Sequence, residues 1–231
     1  MDRRSLLAAA AFAIAGSSAG CLEKGYDYHP LPPIAGRVVR RGMTAETEGS
    51  DSSTSILTVE PEAIGVDPAL RSALPREDEA GNVTITPEVE EPLADEYGEV
   101  FYHVEVEHEN ANPMDGVERG DRNWYTTTRN TFNRLMVGDD VRFQVEFVNR
   151  PSMAGVSEVV RRGDVASAEA EGDGGGETYR VVVDHGAWGE TRRTRAYTAT
   201  RATFDRIETG QSIRFAVEGE MGDRIDELLG A

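Results

Sequence analysis

The chain has 231 residues, a net charge of −18 from 42 acids and 24 bases, and one cysteine. The acid excess excludes a broad nucleic-acid surface, which needs a basic stripe. The single cysteine excludes an intramolecular disulfide. Lys24 is the sole lysine, so every other base is arginine.

Met1-Asp2-Arg3-Arg4 is a positive start, followed at once by the apolar run Leu6–Ala15 and the small residues Gly16–Gly20 before Cys21. Those are the three physical parts of a secretory signal. The apolar run is too short for a membrane span, which needs about 20 residues. No later segment approaches that length, so the sequence predicts no transmembrane helix. The paired Arg3 and Arg4 resemble a twin-arginine export signal. Ser18-Ala19-Gly20-Cys21 resembles a lipobox, which implies that the Cys21 thiol takes a lipid and becomes the first residue of a lipoprotein anchored on the extracytoplasmic face of the cell membrane. Residues 1–20 hold one aspartate and two arginines, so the chain that follows carries −19 against −18 for the whole.

Residues 22–35, with Pro30, Pro32 and Pro33, read as a tether. A first β-module is expected over 36–150, interrupted by a long acidic insertion over 43–96. Inside the insertion, Glu46–Ser55 is rich in Glu, Ser and Thr, and Ser55–Val59 suits a strand. Asp67–Leu74 suits a short helix, with Asp67 as N-cap and Pro68 at the first position. Asn82-Val83-Thr84 is an N-glycosylation sequon in an exported chain.

The body contains itself twice. Trp124–Leu135 with Val137–Phe143 recurs as Ala196–Ile207 with Thr209–Phe215, offset by 72 residues without a gap. Upstream, Tyr102–His108 parallels Tyr179–His185, and Val38–Gly42 parallels Val159–Gly163. Alternation predicts Tyr102, Val104 and Val106 on one face of a strand, and Tyr179, Val181 and Val183 likewise. One helical turn then drops Phe132 and Leu135, or Phe204 and Ile207, into the core. Gly138 or Gly210 reverses the chain into a closing strand of alternating Val141, Phe143, Val145 and Phe147, or Ile213, Phe215 and Val217. The fold class expected is mainly β: two tandem small β-barrel-like modules with a short helical turn each, after the signal peptide and tether. The second module is expected over 157–219, with Ser167–Gly176 as a flexible hairpin loop and 220–231 as a C-terminal helical tail.

The modules resemble small SH3- or OB-like barrels, over roughly 36–42 with 97–148 and over 157–219. The acid-rich, lysine-poor composition and the signal together resemble a haloarchaeal lipoprotein exported by the twin-arginine route. At molar salt the Debye length falls to about 3 Å, which screens the self-repulsion of such a surface.

For chemistry, Glu107 with His108 and Asp184 with His185 occupy equivalent strand ends and are candidates for a metal or ligand site. Duplication of a polar strand end along with the fold is the competing account. The repeated Arg129 and Arg201, Arg134 and Arg206, and Arg142 and Arg214 offer an anion site or simple pairing with acids. The doublets Arg40-Arg41, Arg161-Arg162 and Arg192-Arg193 read as solvated strand faces. Trp124 with Tyr125 offers a stacking platform, which Ala196 removes from the second copy. No catalytic motif is found, so the sequence reads as a non-catalytic binding or envelope-structural protein with no cofactor. The partners expected are membrane lipid through Cys21 and an envelope protein or small solute. A solute- or metal-binding lipoprotein is the alternative, and a secreted enzyme ranks below it.

Overall fold

Strands with one buried face dominate the chain, as their alternation predicts. The computed structural model describes residues 33–46, 53–67, 83–111, 117–147, 151–172, 177–188 and 191–230. Cys21, Arg3, Arg4, Asn82 and the expected helix from Asp67 lie outside these residues, apart from Asp67 itself. The fold is mainly β. The strands are β1 (Ile34–Glu46), β2 (Ser53–Val59), β3 (Ile64–Val66), β4 (Glu99–His108), β5 (Arg122–Thr127), β6 (Asp140–Phe147), β7 (Pro151–Gly172), β8 (Glu177–Trp188), β9 (Thr191–Ala199), β10 (Ser212–Glu218) and β11 (Arg224–Leu228). Among the described residues three helices join them: α1 (Pro87–Tyr97), α2 (Arg129–Arg134) and α3 (Arg201–Phe204).

The two copies obey one pairing rule. In the first, β1 pairs antiparallel with β4 and β6, and β4 pairs with β5. The opening of β7 then pairs antiparallel with β6 and, at Thr126 opposite Ser152, parallel with β5. In the second, the rest of β7 pairs with β8 and β10, and β8 pairs with β9. There β11 pairs antiparallel with β10 and parallel with β9. Each set of pairings therefore returns to its own first strand, and β7 belongs to both sets.

The copies also bury the same side chains. Tyr102, Val104 and Val106 turn inward from β4, as expected, joined by His108, and Val181 and Val183 do so from β8. Tyr125 meets Phe143 edge to face at 5.0 Å between ring centres, and Tyr197 meets Phe215 in the same way at 5.1 Å. Thr128 and Thr200 cap the two helical turns by accepting from the N–H groups of Thr131 and Thr203. Phe132 and Leu135 are buried as predicted, and Gly138 and Gly210 take the positive φ values of 98° and 86° that the reversals need.

The structure corrects several expectations. The tail is a strand, not a helix: Ile225 is buried between exposed neighbours, and β11 fills the place beside β9 that would otherwise be an open edge. Residues 151–156 do not separate two modules, because β7 runs through them unbroken. Ser167–Gly172 continues β7 against β8 and is not a loop. β1 begins at Ile34 and continues to Glu46, so it takes up residues expected at the end of the tether and at the start of the insertion.

The insertion adds β2 and β3 to the edge of β1 and folds back as α1, which the sequence reading missed. Pro87 at its start fits the first helical turn. Val83, Ile85, Val89 and Leu93 bury against the first copy. Asn133 of α2 clamps this segment, donating to the Ile85 carbonyl at 2.7 Å and accepting from the Ile85 N–H at 2.8 Å.

The largest correction is one of register. Val38–Gly42 does not correspond to Val159–Gly163. Gly36 pairs with His108 and Val141, while Gly163 pairs with Ile213 and directly precedes Asp164, which faces Asp184. A Cβ at Gly36 would strike the Glu107 carbonyl, and one at Gly163 would strike the Asp184 carbonyl, the same clash at equivalent points. Gly36 therefore matches Gly163, Ile34 matches Arg161, and the repeated Val-Val-Arg-Arg-Gly stands six residues out of register.

Candidate functional site

Two groupings of functional side chains result, one on the first copy's outer face and one inside the junction.

On the outer face, β5, β4, β1 and β2 lie side by side, and residues that alternate away from the core meet there. Trp124 is 39 % exposed, and no other large apolar side chain is exposed among the described residues. Its ring meets His103 of β4 edge-on at 6.4 Å, and His103 lies 6.4 Å from Phe101. The Arg40 guanidinium stands 5.7 Å from the indole centre, held by Glu60 at 2.8 Å and Glu105 at 3.7 Å. Thr44 Oγ1 and His103 Nε2 share a hydrogen bond of 2.7 Å. Gly42 forms the floor, and its missing side chain leaves room beside the indole, where a Cβ would come within 3.8 Å of the ring. Ser53, Ser55 and Thr58 of β2 form the opposite wall of a cleft of about 420 Å³.

The aromatic row with a cation at its end can hold a flat or C–H-rich ligand face, since the indole face is electron-rich. The hydroxyls and the Arg40–Glu60 pair can fix polar groups around it. The expected pairing of Trp124 with Tyr125 does not occur, because adjacent strand residues face opposite ways and Tyr125 is buried. Trp124 instead meets residues from β4 and β1. The signal lay in the alternation of Phe101, His103 and Glu105, but only the strand register brings it to Trp124.

The second grouping centres on Arg161, which is buried with Asp139 beside it. Arg161 Nε donates to Asp139 Oδ1 at 3.1 Å and Nη2 donates to Oδ2 at 3.2 Å. Nη1 donates to Tyr197 Oη at 3.3 Å and to the Gly222 carbonyl, and Nη2 donates to the Arg134 carbonyl. Asp139 and Arg134 belong to the first copy, Tyr197 and Gly222 to the second. Burial works against the Arg161 charge, and Asp139 and Tyr197 outweigh it, so the guanidinium stays protonated.

The chain continues into His185. Its Nδ1 lies 2.7 Å from the Arg162 carbonyl, which only accepts, so Nδ1 carries the proton. Nε2 of the neutral ring then accepts from Tyr197 O–H at 2.7 Å. Burial, with the nearby Arg161 and Arg193 cations adding to it, lowers the His185 pKa to about 4. Its counterpart His108 is buried against Tyr125 Oη at 2.8 Å, and burial lowers its pKa as well.

The four proposed ligands do not gather. Glu107 faces outward and pairs with Arg122 at 2.8 Å, while His108 faces the core. Asp184 accepts from the Gly186 N–H at 2.8 Å. Among the described residues no three His, Cys, Asp or Glu side chains come together to hold a metal. The repeated arginines scatter too. Arg129 pairs with Glu90, Arg142 with Glu158 and Arg201 with Asp205, while Arg134 reaches the Val156 and Val217 carbonyls.

Of the doublets, Arg40 and Arg162 are exposed enough to fit a solvated face, but Arg41 and Arg161 are buried. Arg41 lies over the Phe132 ring at 4.6 Å and donates to the Phe132 carbonyl at 2.7 Å.

Compared with known proteins, the chain matches no protein-family model, no curated protein and no solved structure.

Proposed function

We propose that the protein is an exported lipoprotein, directed outward by the Arg3-Arg4 signal and held at the extracytoplasmic face of the membrane through Cys21. Its body acts there as a binding module, not as an enzyme. Each copy is read as a five-stranded OB-type barrel. Support comes from the closed circuit of pairings, the parallel contact between third and fifth strands, and the helical turn between third and fourth.

The single observation that carries the binding reading is the exposed Trp124 beside His103, Arg40 and the hydroxyls of β2. In OB-folds the face of the second and third strands takes oligosaccharides or oligonucleotides, an analogy of fold alone. Here those strands are β4 and β5. The net charge of −18 disfavours a polyphosphate chain. The ligand is therefore a neutral polyhydroxylated one, a saccharide of the cell envelope, with its C–H face on the indole.

A Trp188→Phe chain leaves Trp124 as the sole tryptophan, excited selectively at the red edge of the indole absorption. Titration with maltohexaose and with chitohexaose should shift its emission for at least one of them. Trp124→Ala should abolish binding of that sugar, measured calorimetrically, while changing stability by less than about 0.5 kcal/mol. Emission unmoved by either sugar would sink the saccharide reading. Cys21→Ser should release the protein from membranes into the medium.

A further inference from the structure

Gly42 sits at the centre of the outer face of the first copy. Arg40, Gly42 and Thr44 alternate outward along β1, between the buried Arg41, Met43 and Ala45. Gly42 pairs with His103 of β4 on one side and with Thr58 of β2 on the other. Trp124 of β5 faces Glu105 of β4, so β4 separates it from β1, and about 10 Å lies between those two backbones. The indole still reaches β1. Its far rim, Cη2 and Cζ3, lies 3.8 Å from the place of the Cβ that Gly42 lacks. The side chain therefore leans across β4 with both of its ends at the level of the sheet, and Gly42 beneath the rim is buried. A branched side chain at position 42 would stand where the rim rests. Gly42 is thus a positioning residue that seats the indole.

A ring laid along a sheet offers one face to a ligand. His103 stands at 89° to the indole and walls the platform on one side. The polar groups lie around the platform and level with it. Thr44 Oγ1 keeps an acceptor lone pair whichever way its 2.7 Å hydrogen bond to His103 Nε2 runs. Ser55 and Thr58 share a single hydrogen bond of 3.3 Å between two hydroxyls, so one O–H remains to donate. Arg40 answers two carboxylates, Glu60 and Glu105, so the cleft has no positive excess with which to hold an acidic sugar. From Arg40 to Thr44 the cleft follows β1 in a straight line of about 13 Å.

We propose that the cleft selects straight β-1,4-linked sugar chains whose ring substituents are all equatorial, and that Gly42 sets this selectivity by laying Trp124 down; the inference rests on the saccharide reading of the cleft and narrows it. In such a sugar the axial C–H bonds form a flat face that stacks on the indole. The equatorial groups project in the plane of the ring, toward Thr44, Ser55, Thr58 and Arg40. An axial hydroxyl on the stacked face would hold the ring off the indole and would itself lose water without gaining a partner. An α-1,4 linkage turns successive rings out of line, which a straight cleft along one strand does not follow. A platform fixed before the ligand arrives also spares the ordering of a tryptophan side chain on binding.

The test titrates the full-length chain in detergent with four hexasaccharides by calorimetry. Cellohexaose and chitohexaose are β-1,4-linked with every substituent equatorial; maltohexaose has an axial linkage, and β-1,4-mannohexaose an axial 2-hydroxyl. The tighter of the first two should bind at least about tenfold more tightly than either of the others. A smaller margin overturns the selectivity and leaves the saccharide reading standing, whereas binding of none of the four sinks both. Gly42→Val tests the seat. In the Trp188→Phe background it should shift Trp124 emission to the red, because the lifted indole meets more water, and it should erase the margin between the sugars. A folded Gly42→Val chain with the emission and the margin of its parent overturns the role of Gly42. If Gly42→Val does not fold, Trp124→Phe takes its place, since the shorter ring does not reach β1. Its margin should fall below about threefold, and an unchanged margin overturns the proposal.

Discussion

Ile34 and Arg161 hold the same place in two copies of one strand pattern, and both are buried. In the first copy that place is apolar and simply joins the core. In the second it faces the Gly138–Asp139 turn of the first copy, so a charge there meets Asp139 and the carbonyls of Arg134 and Gly222. The same strand position thus serves as core in one copy and as connector in the other. A duplicated fold needs one of its copies to recognise the other, and a buried, directional ion pair does that where a second isoleucine would pack without specifying the partner. The comparison predicts that Arg161→Ala, which leaves Asp139 buried without its cation, costs about 3–5 kcal/mol in denaturant unfolding. The double variant Arg161→Ile with Asp139→Ala should cost much less than the sum of the single changes. Additive losses would mean that the pair does not couple the copies. Because the pair is buried, this cost should persist at molar salt, unlike that of the exposed Arg224–Glu218 pair.

The register of that comparison can be broken directly. By sequence, Gly42 is the partner of Gly163; by hydrogen bonding, Gly36 is. A side chain at Gly36 or Gly163 meets a backbone carbonyl that its own strand pairing fixes, so Gly36→Ala and Gly163→Ala should each cost about 2–3 kcal/mol. Gly42→Ala meets the Leu57 carbonyl at 3.2 Å and the Trp124 ring, and should cost less than either. Thermal unfolding of the three variants decides it, and a Gly42 cost equal to that of Gly163 would restore the sequence match.

Alternation and turn chemistry were legible. Tyr102, Val104, Phe132, Gly138 and their counterparts fall where the pattern puts them, because period and φ are local properties. Partner choice was not. Nothing local in Arg41 or Arg161 distinguishes them from the exposed Arg40 and Arg162; burial of a guanidinium depends on carbonyls and carboxylates brought from distant strands. The same holds for α1, whose apolar contacts Val89 and Leu93 make sense only against the end of the first copy, and for Ile225, whose strand exists because β9 offers an edge. At the cleft, Trp124 was readable as an exposed aromatic. His103, Arg40 and the floor at Gly42 required three strand registers that the sequence does not encode locally.

The two histidines sharpen the comparison in the smallest way. Both bond to the tyrosine of the third strand through Nε2, but only His185 has its Nδ1 proton on a carbonyl and two arginines close by. Protonating its Nε2 would remove the acceptor of Tyr197 O–H and add a cation beside Arg161. The unfolded chain takes up a proton at this side chain near its ordinary pKa of 6.5, whereas the folded chain refuses it until about pH 4. Stability from this group is therefore complete above pH 6.5 and declines as the pH falls toward 4. The ring is partly exposed, and solvent screening holds the loss to about 2 kcal/mol. His185→Gln should flatten that part of the profile relative to the wild-type chain, with carboxylate titration common to both. His108→Gln should act in the same direction through burial alone. If His185→Gln and the wild type follow parallel curves between pH 6.5 and 4, the Arg161–Tyr197–His185 chain does not hold the imidazole neutral.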